Sequence, residues 1–291
     1  MGSSASSLGF KTGDRIAAIG WLGLCGKCDD CCGPLSGRHY CKFMRGFLGS
    51  SAPGAFQEYT VVDARYATVL PDTLGFVTAA PLTCAGATSW RAVKATKAKA
   101  GDWVAIVGSG GGLGHLAIQF AKGLGFKVLG VDASDGGIAL TKKAGADAAL
   151  DVRGGREKLL EGVKAATGGK LMVASVVVSD HDTATDTSCA ITMNHGTVIQ
   201  VAQPPNVIVD FRELIFRDIH LEGSLLASQA ELAEMIGFVA ENKVRVETHP
   251  YEGLESLKEI LEKAHEGKTP GKMVVILDKE AVAEDKRNAR W

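Results

Sequence analysis

Five of the seven cysteines fall within residues 24–41, LCGKCDDCCGPLSGRHYC, and Cys25, Cys28 and Cys31 recur there at every third position. That C-x2-C-x2-C spacing lets three thiolates converge on one ion while the short loop between them folds around it. A fourth soft ligand would close a tetrahedron. Cys32, His39 and Cys41 all follow closely enough to supply it, and Cys41 is the favoured one. A site closed by four protein ligands leaves no open position for a substrate, so zinc held here would brace a loop and carry out no chemistry.

A second stretch with chemical content is AGDWVAIVGSGGGLGHLAIQFAKGLGFKVLGVDAS, residues 100–134. WVAIVG is a short β-branched run ending in glycine, GHLAIQFAKGLG has helical apolar spacing with a glycine stop, and KVLGVD is a second apolar run. The unit reads as strand, helix, strand. In its first turn Gly108, Gly111 and Gly114, with Gly112 and Leu113 between the last two, allow the backbone a tight bend and a close approach to a diphosphate. The diphosphate charge would then lie at the positive end of the following helix. Asp132 ends the second strand about 20 residues on and can accept hydrogen bonds from an adenine ribose. A carboxylate there repels a 2′-phosphate, so NAD is expected in preference to NADP.

The elements that position these groups follow from the remaining pattern. GKLMVASVVVSD, GTVIQVAQ and IHLEGSLLAS read as further strands, and ALTKKAGA and GREKLLEGVKAATG as helices. Strands alternating with helices predict an α/β fold, a doubly wound parallel sheet with crossover helices. A nucleotide would lie across the carboxyl ends of its strands, near Val178, Ser179, Val201 and Ala202. The charged tail DKEAVAEDKRNARW reads as a solvated terminal segment.

Composition excludes several classes of function. The 291 residues, 46% hydrophobic, suffice for two cores. A formal net charge of −1 offers no excess of cations for a phosphate backbone, so neither nucleic acid nor an anionic membrane is expected as a partner. No long apolar run or signal-like start is present, and the chain is expected in the cytoplasm, where clustered cysteines favour a metal over disulfides.

The landmarks GDRIAAIGWL, the cysteine loop, GAFQEYTVVDARYATVLPD, AAPLTCAGATSWRAVK, VAIVGSGGGLGHLAIQFAK, GVDAS and GKMVVIL occur in that order. From Phe10 to about Leu277 the chain thereby resembles the zinc-containing alcohol dehydrogenases of the medium-chain dehydrogenase/reductase superfamily, most closely the yeast-type fungal enzymes. The resemblance implies a Rossmann domain over 87–226 inserted in a β-rich, GroES-like catalytic domain built from 1–86 and 227–291. It also implies NAD, one structural and one catalytic zinc, a small alcohol or aldehyde as substrate, and a homo-dimer or tetramer. The family's structural zinc maps onto Cys25, Cys28, Cys31 and either His39, at the family spacing, or Cys41, in a loop two residues longer. Cys84, in PLTCAG, matches a ligand of the catalytic zinc, and Lys272 stands where the family often has an arginine that reaches the diphosphate.

In the family, the segment matching GDRIAAIGWL is preceded by about a third of the catalytic domain, with a cysteine ligand and a Gly-His-Glu histidine ligand. Neither is found in these 291 residues. Weak or absent zinc-dependent turnover is therefore expected, as are exposed apolar surface and a tendency to associate. A zinc-independent NAD(P)H reductase and a non-catalytic NAD-binding subunit are the competing expectations.

Overall fold

The structure, a computed structural model, describes residues 3–266 and 269–291. They divide into two compact units: Met1–Ala87, Ala227–Lys243 and Thr248–Trp291 form one, and Thr88–Leu226 with Val244–Glu247 forms the other. The boundaries expected above leave Val244–Glu247 with the first unit. Its backbone instead bonds to side chains of the second.

The first unit is built from short strands. β1 (Ile16–Ala18) and β4 (Ala67–Val69) pair antiparallel, Ile16 opposite Val69, and β2 (Trp21–Leu22) pairs antiparallel with β3 (Gly46–Phe47). Trp21 is buried, lies edge-on to Phe47 with centroids 4.9 Å apart, and donates its indole N–H to the Ala227 carbonyl at 3.1 Å. That bond ties the early strands to the start of the helix Gln229–Asn242. There Ser228 and Glu231 close a reciprocal capping box that satisfies two otherwise orphaned amides.

The second unit contains a six-stranded sheet of β5 (Trp103–Val107), β6 (Lys127–Asp132), β7 (Ala148–Asp151), β8 (Met172–Val177), β9 (Thr192–Gln200) and β10 (His220–Gly223). All neighbours are parallel, in the order β10-β9-β8-β5-β6-β7. Parallel strands must be joined by crossovers, and the helices Gly114–Gly123, Asp135–Lys143, Arg156–Thr167 and Ala184–Ile191 provide them. Central strands covered on both faces are apolar without alternation, as in Val104–Val107, all buried. The core joins Ala105, Leu129, Val131, Val163, Met172, Val177, Ile191 and Val198. The α/β fold with a parallel Rossmann-type sheet and a GroES-like unit agrees with the sequence expectation. The late strand is shorter than IHLEGSLLAS predicts.

After β11 (Thr248–Glu252) and β12 (Lys272–Ile276), a parallel pair, the chain ends in the helix Lys279–Arg287. The tail does not behave as a solvated terminus. Asp285 is buried, accepts from Arg15 Nη2 at 2.9 Å and from the Phe76 amide at 2.7 Å, and also pairs with Arg290. The Gly75 amide bonds to the Trp291 carbonyl and the Trp291 amide to the Thr73 carbonyl. The charge pattern concealed this docking because the deciding partner, Arg15, lies 270 residues away.

Candidate functional site

The cysteine loop is drawn together by two tight turns. A helical turn over Asp29–Cys32 returns Cys31 toward Cys28, and the 3-10 turn Leu35–Tyr40 delivers Cys41 to the same place. The sulfurs of Cys25, Cys28, Cys31 and Cys41 all lie within 4.8 Å of one another. Cys25 and Cys31 are 3.9 Å apart, Cys28 and Cys41 3.7 Å, and the Cys25 amide points at the Cys41 sulfur at 3.4 Å. Four thiolates about 2.3 Å from one tetrahedral zinc sit roughly 3.8 Å from each other, so the donor set and its spacing fit that ion. No other cluster of this kind occurs among the described residues.

The two nearby alternatives are placed otherwise. Cys32 is exposed with its thiol toward the Gly26 carbonyl, and His39, 2% exposed, packs its ring between Trp21 and Tyr40. The loop's electrostatics are uneven. The Lys27 amide holds the Cys25 thiol down to about 6, whereas burial pushes Cys31 up to about 12. Four close thiols cannot all ionise without a cation among them, and metal uptake releases their protons.

In the second unit, the turn after β5 is built by steric exclusion. Gly108 has φ +89°, and a Cβ there would lie 2.8 Å from the Ser179 amide nitrogen. A Cβ on Gly114 would lie 2.3 Å from the Gly108 carbonyl. Only glycine permits this conformation and closeness. Gly111 has room, with its nearest neighbour at 3.5 Å, while Gly110 is crowded against the Gly137 backbone and donates its amide to Asp132 Oδ2 at 2.8 Å. Gly110 is thus a working residue that spacing alone missed. The legible signal was the G-S-G-G-G run itself.

Asp132 Oδ1 accepts from the Ala133 amide at 2.9 Å and the Ser134 amide at 3.1 Å, so this carboxylate orders both turns that flank it. A cleft of about 500 Å³ opens at the carboxyl ends of the strands, lined by Gly108, Asp132, Arg153, Ser179, His181 and Thr187, among others. Val178 follows β8 and donates to the Val107 carbonyl at 2.9 Å, and Val201 and Ala202 both donate to the Val177 carbonyl. Leu113 precedes the helix and receives the Ser89 hydroxyl on its carbonyl. These residues gather at the strand-order reversal between β5 and β8, where open α/β sheets bind ligands.

His115 follows the glycine turn and opens its helix, where the sequence suits a cofactor contact or helix-end packing better than zinc ligation. It is buried and hydrogen-bonds through Nδ1 to the Gly111 carbonyl at 2.9 Å, while Nε2 accepts the Glu247 amide at 3.1 Å, which makes Nδ1 the protonated nitrogen. Gln119, one helical turn on, bonds both the amide and the carbonyl of Arg245. Together they bolt Val244–Glu247 to the glycine turn, through pairs over 120 residues apart that no local pattern reveals.

Cys84 sits on a π-helical turn, Leu82–Gly86, in the first unit and is exposed. No pair of further histidine, cysteine or acidic ligands gathers with it among the described residues. Lys272 opens β12, in register with Thr248, in that same unit.

Residues 1–72 match the family model of the alcohol dehydrogenase GroES-like domain, and residues 112–241 that of the zinc-binding dehydrogenases. An alcohol dehydrogenase of Geobacillus stearothermophilus is 34% identical over 273 residues, 92% of this chain and 77% of the relative. The crystal structure of the alcohol dehydrogenase from Aeropyrum pernix superposes with a TM-score of 0.82 at 27% identity, over 92% of this chain and 77% of that one. Acetophenone reductase from Geotrichum candidum, solved in complex with NAD, gives 0.78 at 25% identity, over 92% and 75%. With two family models in chain order and a relative this similar over most of both lengths, the chain belongs to the zinc-type alcohol dehydrogenases of the medium-chain superfamily.

Proposed function

We propose that this chain binds NAD(H) in the second unit and one structural zinc in the first, in the manner of an NAD-dependent alcohol dehydrogenase acting between a primary or secondary alcohol and its carbonyl. The observation that carries the cofactor reading is the glycine turn, packed too closely against Ser179 for any Cβ, with Gly108, Asp132 and Ser179 lining one cleft. NAD, when bound, supplies the hydride acceptor. The chain's own groups bind and orient it: amides at the start of the helix Gly114–Gly123 face a diphosphate, and Asp132 accepts from ribose hydroxyls. Cys25, Cys28, Cys31 and Cys41 would hold the structural zinc, whose role is to close the loop.

Turnover is a separate matter. A catalytic zinc of this family type needs three protein ligands, and of these the sequence supplies Cys84 alone, exposed and without a ligand cluster among the described residues. We infer that a polypeptide of these 291 residues binds NADH but oxidises alcohols weakly or not at all. That exposed, unclustered thiol favours, as the second reading, a non-catalytic NAD-binding subunit. The proposed setting is a cytoplasmic homo-oligomer; among the described residues no helix is long and apolar enough to cross a membrane.

One purified sample tests these points together by zinc per chain, NADH fluorescence titration, and ethanol and acetaldehyde turnover. One zinc, saturable NADH binding and negligible turnover are expected. Two zincs with sustained turnover would overturn the impairment, and absence of NADH binding would overturn the cofactor reading.

A further inference from the structure

Asp132 has a neighbour that the cofactor reading does not use. In the parallel pairing of β6 with β7, Asp132 lies opposite Asp151, and two residues beyond Asp151 the side chain of Arg153 lines the same cleft as Asp132. Arg153 is held on two sides. Its Nε lies 2.9 Å and its Nη2 2.6 Å from Asp151 Oδ2, and Nη2 also reaches Asp135 Oδ1 at 2.5 Å. Asp135 opens the helix that follows the Asp132 turn, so the guanidinium spans both edges of the ribose end. Asp135 and Asp151 pair with it, Asp132, Asp180 and His181 line the same cleft, and Lys158 acts on Asp151.

A planar guanidinium beside a ribose is the group best suited to grip a 2′-phosphate with two parallel hydrogen bonds. Here two carboxylates already occupy its fork, and four carboxylates outnumber it locally. We propose that Arg153 is a specificity-determining residue of the adenosine end: Asp135 and Asp151 hold it away from the ligand, so the cleft selects a dinucleotide with a free ribose 2′-hydroxyl. Released from them, it becomes a ligand for a 2′-phosphate.

This proposal rests on the NAD reading and extends it to residues beyond Asp132. Fluorescence titrations with NADH and NADPH would compare the unsubstituted chain, Asp135→Asn with Asp151→Asn, and the same pair with Arg153→Met. Asparagine at 151 retains an oxygen for the Arg153 amide, which keeps the turn after β7 intact. The double variant should shift the NADPH-to-NADH affinity ratio about tenfold toward NADPH, the size of one charge-assisted hydrogen bond, and Arg153→Met should cancel that shift. A shift that survives Arg153→Met, or no shift in a double variant that still binds NADH, overturns the proposal. If the unsubstituted chain binds neither dinucleotide, the cofactor reading fails, and the proposal with it. Circular dichroism of each variant separates these results from loss of fold.

Discussion

At the scale of single residues, the cysteine loop poses a choice that geometry resolves. Cys32, His39 and Cys41 were the candidates for the fourth position, with Cys41 favoured, and the structure packs the His39 ring against Trp21 and Tyr40 and turns the Cys41 side chain toward three sulfurs. Cys41→Ser is expected to lower zinc per chain from about one to well below it, because hydroxyl is a poor zinc ligand, whereas His39→Phe, of similar volume, should retain the metal. Elemental analysis after exhaustive dialysis decides between them. Gly108 is as sharply constrained. Gly108→Ala places a methyl group in a φ +89° backbone against Ser179, and NADH affinity should fall at least about tenfold, read by fluorescence titration, while the unsubstituted residues of the sheet keep their circular dichroism.

Among elements, the entry into β7 is held by one carboxylate. Asp147 accepts from the Val128 amide at 2.7 Å and from Lys122 at 2.8 Å, joining β6, β7 and the helix Gly114–Gly123. Burial opposes its ionisation, but the Lys122 ammonium and the amide outweigh burial, so its pKa lies below the usual carboxylate range. A depressed folded pKa means that its contribution is present above the unfolded value of about 4 and is lost as the pH falls below it. Urea midpoints should therefore drop between pH 6 and pH 3 by more in the unsubstituted chain than in Asp147→Asn. Equal drops would mean that other carboxylates dominate. The same scale explains which elements were legible in the sequence. β5, the helix Gly114–Gly123 and β6 were evident because their apolar periods and glycine stops are local. The late strand was legible but overlong, IHLEGSLLAS against the four-residue β10, whereas the short strands of the first unit carry too few residues for a period to register.

For the whole molecule, two compact units with different anchors imply two separable responses. Chelation of the zinc should destabilise the first unit and leave NADH binding in the second largely unchanged, because only the first has its loop closed by the ion. Thermal unfolding with and without a strong chelator, followed by tryptophan and by bound NADH fluorescence, tests this; a parallel loss of both signals would contradict it. The chain also carries large apolar side chains in contact with solvent, Phe56, Tyr59 and Val61 in the first unit and Ile215 and Phe216 in the second. Surfaces of this kind favour association, and sedimentation velocity should find species heavier than the 30.4 kDa monomer.

The sequence by itself determined the alternating α/β pattern, the glycine turn with its acidic partner, and a cysteine group suited to a soft metal, because each depends on residue types at short, regular separations. Tertiary structure decided that Cys41 and not His39 joins the sulfurs, that His115 and Gln119 secure Val244–Glu247, that the charged tail docks through Asp285 on Arg15, and that Arg153 lines the same cleft as Asp132. Each of these pairs groups distant in the chain, or turns one of several adjacent side chains inward, and backbone hydrogen bonding and burial make that selection only once the strands have found their neighbours.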